Sequence, residues 1–502
     1  MAGDQVVAID VGTQSTRAAL VDIRGRIQDI ASSPIELYAP RPGWAEQDPD
    51  QWWETTVANL ATIMARNPGA VVAAVGVGAQ MHSLVAVDAS GASLTARSAI
   101  WSDKRCLEQV QAVLGRPDGE ELGLLAGNRP LPAWAGFKMA WLRSHAPAAY
   151  DRAVRLLVAK DFVNLRLCGQ AATDPTEASG SFLCDASTGQ WSEPLLEALG
   201  VDRAKLPEIV DSSTVIGTVR REVAQRTGVP AGTPVVAGSG DMLCQLLGTG
   251  ITRPGQVALV AGTASIMAVA AAAATADTRL MSLRSASGQW VHFGISDAAG
   301  KAFRWFADRL YPAAGGGRSD VRAAFEALTA AAADVEPGAG GLLFFPYLLG
   351  ERTLGNAQSR ASFVGATLGH DRAHFVRAVL EGITLEDRRA LRCLCPKGPR
   401  WPIRCTGGGA ESRLWNQIRA DVFGHPVQTL ALTEGGIQGA AILAGVGAGW
   451  YPDAAAGADE VIHAAETWTP SEEAARRYEA IFRTFCAVHD ALDGLWGTWD
   501  PP

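Results

Sequence analysis

The sequence predicts an α/β protein built as two lobes, and two observations carry that reading. A short Gly-Thr turn occurs twice, about half the chain apart, each time between apolar runs: Val6-Val7-Ala8-Ile9-Asp10-Val11-Gly12-Thr13-Gln14-Ser15-Thr16, then Val257-Ala258-Leu259-Val260-Ala261-Gly262-Thr263-Ala264-Ser265. Each turn leads into another β-type run (residues 17–21 and 266–269) and not into an amphipathic helix, so both copies read as strand, tight turn, strand. That order argues against a dinucleotide-binding fold or a P-loop. The second observation is size: 502 residues, 48% apolar and 19% charged, allow two or three domains, each with a full core.

Glycine lets the backbone approach an anion closely, while a threonine hydroxyl and neighbouring N–H groups donate to phosphate oxygens. Two such hairpins therefore suggest two lobes clamping one polyphosphate. Only the first carries an acid, Asp10, as a clamp around one magnesium ion needs. The net charge of −8, with no Lys/Arg cluster, gives no electrostatic footprint for nucleic acid, so a small molecule is the expected partner. The chain enters a strand by Val6 without a basic segment or long apolar run, and the Ala-rich stretch 268–276 is too short and weakly apolar to span a bilayer. A cytoplasmic protein with no secretory signal is expected. Cys393 and Cys395, with Cys405 nearby, lack the spaced histidines or second pair of a metal site, and the eight cysteines read as reduced thiols.

The elements come in order along the chain. Residues 6–11 and 17–21 form the first hairpin, and Ile23-Arg24-Gly25-Arg26 turns the chain into a third strand around 27–30. Asp48-Pro49-Asp50 caps a helix with apolar positions at Trp53, Val57, Leu60 and Met64. Residues 71–77 form a buried strand whose carboxyl end delivers Gly78-Ala79-Gln80-Met81-His82, where open α/β sheets bind ligands. Helices are expected over 137–142 and 161–167, with Trp134 and Trp141 as core or pocket wall. A strand over 234–237 ends in Gly238-Ser239-Gly240-Asp241, and the lobe boundary falls near 245. The second lobe brings the second hairpin, helices at about 297–310 and 318–334, a strand at 342–346 and a helix at about 371–393. A strand over 403–406 runs into Gly407-Gly408-Gly409 and a helix over 414–422, a strand-to-helix turn of phosphate- or nucleoside-binding type. After Gly435-Gly436 comes a small-residue helix over 440–446, in which Gly445, Gly447 and Gly449 serve close packing and the helix end. One amphipathic helix over 471–495 closes the chain. The domains are thus drawn at 1–245, 246–465 and 466–502. Gly300-Lys301 lacks the glycine spacing of a P-loop.

With these motifs in place, the chain resembles the FGGY family of carbohydrate kinases, and within it the xylulokinases. The resemblance runs from Ile9-Asp10-Val11-Gly12-Thr13 to Gly439-Ala440-Ala441. It is carried most specifically by Gly43-Trp44-Ala45-Glu46-Gln47-Asp48-Pro49, Gln80-Met81-His82, Trp101-Ser102-Asp103-Lys104-Arg105, Pro346-Tyr347-Leu348-Leu349-Gly350-Glu351-Arg352-Thr353 and Thr406-Gly407-Gly408-Gly409-Ala410-Glu411-Ser412. It implies two ribonuclease-H-like, actin-like lobes with an interlobe active-site cleft, sugar on the first and nucleotide mainly on the second. Closure of such lobes excludes water and favours phosphoryl transfer over hydrolysis.

The resemblance also implies roles. Asp241 becomes the catalytic base, against the plainer reading of a helix start at Met242. At an ordinary pKa near ~3.9 it is a weak base for an alcohol, which a loose phosphoryl-transfer transition state tolerates because it needs the proton late. Asp10 becomes the Mg2+ anchor, through water. Thr13, Gln14, Gly262 and Thr263 hold ATP phosphate oxygens, Gly408 and Gly409 let the nucleoside lie against backbone, and Asn416 is a polar contact for it. Met81 and His82 meet the sugar, with Asp103 a second acceptor. Glu351 and Arg352 read equally well as an internal ion pair. The implied activity is transfer of the γ-phosphate of ATP to a terminal hydroxyl of a ketopentose, D-xylulose first, in a cytoplasmic enzyme without nucleic-acid or membrane partners and with a homodimer admissible.

Four positions depart from the xylulokinase pattern: Met242 for asparagine, Ser83 for glycine, Ala264 for serine and Leu354 for proline. Met242 removes an amide donor and acceptor beside the base, and a site that does not hydrogen-bond a hydroxyl discriminates poorly for it. L-xylulose, ribulose, erythrulose and deoxyxylulose are therefore alternative substrates, and the family resemblance adds glycerol and gluconate as rivals. A non-catalytic sugar sensor has no need of Asp241 with Asp10, and an ATP-driven machine has no need of the Met-His and Trp-Ser-Asp segments.

Overall fold

The computed structural model describes residues 3–275, 277, 279–310, 321–351, 356–432 and 434–498, with 321–324 as backbone. The chain divides into two compact units, each assembled from three stretches: Met1–Arg253, Ala271–Val291 and Glu434–His463 in the first, and Pro254–Ala270, His292–Thr433 and Ala464–Pro502 in the second.

The first unit is organised by a seven-stranded mixed sheet. Gln5–Val11, Ser15–Asp22 and Ile27–Pro34 form an antiparallel meander, because the short turns after Val11 and Asp22 leave no room for a crossover. The helix Pro49–Arg66, capped by the Asp48 carboxylate accepting from Asp50 N–H at 2.9 Å, carries the chain back so that Val72–Ala79 lies parallel to Gln5–Val11. Pro234–Val236 and then Ser239–Gly240 pair parallel with that same strand, and Val215–Thr218 lies outside Pro234–Val236. One face is filled by Trp52, Trp53, Leu60 and Ile63 of the helix over Val7, Ile9, Leu20 and Val75. The other face receives the helix Gly435–Gly447, expected in a lobe spanning 246–465 but packed in this unit against Gln5–Val11, Val72–Ala79 and the helix Asp241–Leu247. The approach demands missing side chains: a Cβ on Gly76 would lie 2.3 Å from the Ala440 carbonyl oxygen, and one on Gly439 1.9 Å from that of Cys244.

The second unit's sheet carries, in spatial order, Trp290–Ser296, Ser265–Ala271, Val257–Ala261, Ile403–Thr406, Val427–Leu430 and Ala464–Trp468. The second Gly-Thr turn again joins antiparallel strands, and Ile403–Thr406 runs parallel to Val257–Ala261. The helix Arg413–Phe423 packs on the sheet and against Arg372–Leu394, which is capped by an Asp371/His374 capping box, and Glu472–Trp496, capped by Ser471, packs on those two helices. The helix expected over 318–334 is described only as Val321–Ala331, and Arg352 and Leu354 lie outside the described residues. Several short helices have no clear signature in the sequence, among them Leu107–Leu114, Gly119–Ala126 and Glu193–Leu199.

Candidate active site

Three strand ends meet in the first unit. In register, Asp10 lies beside Gly78, Ser239 beside Gly78 and Gly240 beside Ala79, so the residues leaving these strands, Gly12, Gln80 and Asp241, are neighbours by sheet geometry alone. Asp241 is the first residue of the helix Asp241–Leu247, with one carboxylate oxygen accepting from Met242 N–H at 2.7 Å. Its side chain remains partly exposed, yet desolvation, with Asp10 nearby, pushes its pKa up to about 7. The ordinary carboxylate pKa expected from sequence is thereby corrected to one near neutral pH.

Asp10 is 6% exposed, and its Oδ2 accepts from Arg17 Nη2 at 2.5 Å. Arg17 Nη1 donates to Glu434 Oε2, also at 2.5 Å. Burial raises the pKa of Asp10 and Arg17 opposes the rise. Neither Arg17 nor Glu434 stands among the residues expected from sequence. Arg17 was within reach, since the four-residue turn that pairs Val11 with Thr16 sets Asp10 opposite Arg17; Glu434 arrives from a distant stretch of chain and left no local signal.

The first Gly-Thr turn is tied to the neighbouring strand end by side-chain amides. Gln80 Nε2 donates to Gln47 Oε1 at 2.5 Å, Gln47 Nε2 to the Thr13 carbonyl at 2.7 Å, and Trp101 Nε1 to Thr13 Oγ1 at 3.0 Å. Gln14 is exposed at the tip. Met81 lies so close to Gly240, the residue before Asp241, that a Cβ on Gly240 would sit 2.5 Å from Met81 Cγ. His82 adopts left-handed backbone, φ 63°, with its ring edge-on to Trp134 at 5.0 Å. Burial lowers its pKa to about 3, with Lys138 adding to the effect, so the ring is neutral; its Nδ1 has no hydrogen-bond partner.

Asp103 differs from its expected role. It is fully buried, Oδ1 accepting from Arg105 N–H and Nε, and Oδ2 from Arg105 Nη2 and Ala45 N–H, all within 2.6–2.9 Å. Its carboxylate therefore knits the Trp44–Gln47 segment to the Trp101–Arg105 segment, with the Arg105 guanidinium 3.7 Å over Trp44.

In the second unit, Gly262 N–H closes the turn on the Ala264 carbonyl at 3.0 Å and Thr263 is exposed. Gly300, at the start of the helix Ala299–Leu310, packs on the turn: a Cβ there would lie 2.3 Å from the Gly262 carbonyl oxygen. Gly407, at φ 87°, and Gly409 lie against Ala261, whereas Gly408 faces open space. Asn416 is almost fully buried, donating to the Ala410 carbonyl at 2.7 Å and accepting from Arg419 at 2.8 Å. Both ends of its amide are engaged in the turn, which makes it a brace for Gly408–Glu411 instead of the expected nucleoside contact. Glu351 pairs with Arg389 and, at 3.1 Å, with His489 of the last helix.

Two units each built on a sheet with a Gly-Thr hairpin, the first bearing a poised carboxylate where parallel strands end, define a sugar kinase of the actin-like ATPase fold. Residues 5–248 match the profile of the FGGY family of carbohydrate kinases, N-terminal domain, and residues 257–448 that of its C-terminal domain. The chain is 29% identical over 492 residues to a xylulose kinase of Bacillus subtilis (strain 168), covering 96% of each. Among solved structures, xylulose kinase from Rhodospirillum rubrum superposes with a TM-score of 0.90 at 32% identity, covering 98% of this chain and 100% of that one. Gluconate kinase from Lactobacillus acidophilus gives 0.91 at 25% identity, with 99% of both chains covered. The chain belongs to the FGGY family of carbohydrate kinases, and it is a phosphotransferase with an alcohol group as acceptor.

Proposed function

We propose that the enzyme transfers the γ-phosphate of ATP to a terminal hydroxyl of a ketopentose, with D-xylulose giving D-xylulose 5-phosphate as the leading reaction. The observation that carries the reading is the juxtaposition of a carboxylate with a pKa of about 7, Asp241, and the Met81-His82 segment on adjacent parallel strand ends. Asp241 takes the proton of the attacking hydroxyl, and its raised pKa makes it a better acceptor than an ordinary aspartate. Met81 forms an apolar wall, and neutral His82, whose Nδ1 is buried, offers its other ring nitrogen, Nε2, to a sugar hydroxyl. Asp103 acts indirectly, by fixing Trp44 and Trp101 around the first turn. Thr13, Gln14, Gly262 and Thr263 donate to phosphate oxygens, and Gly408 and Gly409 leave room for the nucleoside.

Asp10 suits a magnesium site of the kind that uses one carboxylate together with phosphates and waters: it is a buried acid at the strand end beside the first Gly-Thr turn, with one oxygen held by Arg17. A bound Mg2+ supplies charge neutralisation on the phosphates. Arg17 orients the Asp10 carboxylate by holding Oδ2, so that Oδ1 is the oxygen left for the hydrated ion.

The test is sugar-dependent ADP release over D-xylulose, L-xylulose, D- and L-ribulose, erythrulose, 1-deoxy-D-xylulose, glycerol and gluconate, with Asp241→Ala as the blank. Preference for D-xylulose that vanishes in the variant supports the reading; preference for gluconate or glycerol replaces it with another FGGY kinase activity. Met242 bears on the choice, since a thioether stands where an amide is expected. Met242→Asn is expected to shift preference toward ketoses with a hydroxyl at the contact, and an unchanged ranking removes Met242 as a specificity residue.

A further inference from the structure

Behind the proposed sugar and base positions runs a short helix, Pro175–Ser179, that carries no recognisable motif in the sequence. Two consecutive residues of it reach in different directions. Thr176, fully buried, accepts through Oγ1 at 2.9 Å from the N–H of Gly240, the residue immediately before Asp241. Glu177, 2% exposed, accepts through Oε2 from His82 N–H at 3.3 Å. The helix is itself anchored: Asp174 caps it, accepting from Thr176 N–H, and takes a further hydrogen bond from Ser212 Oγ at 2.7 Å.

The His82 contact falls on strained backbone. A histidine at φ 63° occupies a region that costs a non-glycine residue free energy and persists only where surrounding groups hold it. Glu177 supplies such a hold. Lys160 Nζ pairs with Asp161 at 2.6 Å and with Asp174 at 3.4 Å, and it opposes the rise of the Glu177 pKa without forming an ion pair with it. Burial and Asp174 push the Glu177 pKa well up, and its Oε1, without a hydrogen-bond partner, is the natural seat of the proton.

We propose that Thr176 and Glu177 are paired positioning residues, Thr176 fixing the approach of Asp241 and Glu177 fixing the strained backbone of His82, so that one short helix sets base and sugar contact relative to each other. The inference rests on the reading that Asp241 is the base and His82 a sugar contact. It predicts a division that a merely structural role does not produce. Thr176→Val lowers kcat about tenfold with sugar KM nearly unchanged, and Glu177→Ala raises sugar KM about tenfold with ATP KM unchanged, each the scale of one lost buried hydrogen bond. Thr176→Ser, which keeps the hydroxyl, and Glu177→Gln, which keeps a neutral acceptor of the same shape, restore both parameters.

The experiment is steady-state kinetics of the full chain against sugar and ATP for these four variants, with Asp241→Asn and His82→Ala in parallel and thermal melts of each. The split with its rescue supports the proposal. If Asp241→Asn abolishes turnover and His82→Ala raises sugar KM while the four variants match the parent, or change kcat and both KM values together without rescue, the positioning roles are overturned and the site reading stands. If Asp241→Asn retains turnover, both fall.

Discussion

The two Gly-Thr hairpins share a strand-turn-strand plan, with four turn residues in the first and three in the second, and differ more in what surrounds them. Each turn is closed by its glycine N–H on a carbonyl at 3.0 Å, Gly12 on Ser15 and Gly262 on Ala264, and each is followed by an antiparallel strand. The first is ringed by charge: Asp10, Arg17 and Glu434 within it, and Asp241 on a neighbouring strand end. The second presents glycine, threonine and the start of a helix. Behind it Asp387 is also pushed up to about 7 by burial, with Ser265 of the hairpin and then Arg419 opposing, but it lies 4% exposed on the helix Arg372–Leu394. A displaced pKa alone therefore does not distinguish the two carboxylates. Position at a strand end with partial exposure is what separates Asp241 from Asp387.

The largest expected effect breaks that comparison most directly. Asp241→Asn should lower kcat by roughly 10²–10⁴-fold, the usual worth of a positioned base, whereas Asp387→Asn should leave kcat within about threefold. Equal losses in the two variants would make Asp387 a functional group as well. Next come the turns themselves. Arg17→Met should reduce kcat/KM for ATP by roughly 10–100-fold, because it leaves a buried carboxylate unpaired, and Thr263→Val by about tenfold or less, because it removes one neutral donor. Steady-state kinetics at fixed Mg2+ measure both, and a larger loss for Thr263→Val would reverse the assignment of charge-dependent function to the first turn.

A third effect is set by pH. With the base at about 7, kcat/KM should rise about tenfold per unit below that value and flatten above it. Stability runs the opposite way. A carboxyl whose folded pKa is raised above its unfolded value near 3.8 favours the folded state below that unfolded value, and the contribution is lost as pH rises toward 7. Asp241→Asn should therefore raise the melting temperature at pH 8 and lose that advantage by pH 4 in calorimetry. The smallest effect lies far from the turns. His489 has its pKa raised: burial opposes its charge, while Glu351 and Asp490 favour it. Its stabilisation is complete below about 6.5 and declines as pH passes through the raised folded value, so His489→Gln should cost about 2–4 °C at pH 6 and less at pH 9.

Much of this contrast was legible from residue order. Period-two apolar runs around Gly12 and Gly262 marked the hairpins, and Gly78–His82 and Gly238–Asp241 could be read as strand ends because glycines interrupt apolar runs there. Asp103 and Asn416 were legible as polar residues in recognisable motifs, but which atoms their side chains meet depends on Ala45, Arg105, Ala410 and Arg419, contacts that segment packing decides. The raised pKa of Asp241 likewise arises from burial and from Asp10, which is remote in sequence. The lobe boundary near 245 treated the chain as a string cut once, whereas the helix Gly435–Gly447 belongs with strands made more than 350 residues earlier.

That returning helix has a consequence for the chain as it is made. The sheet of the first unit is synthesised by Gly240, but the face holding Gly76 stays bare until residue 447 has emerged, roughly 10–40 s later at about 5–20 residues per second. Throughout that interval the nascent polypeptide carries an unfinished apolar surface. Maturation of the first unit is thereby timed by the arrival of its own late-made cover, and truncation before residue 435 is expected to leave that face of the sheet exposed.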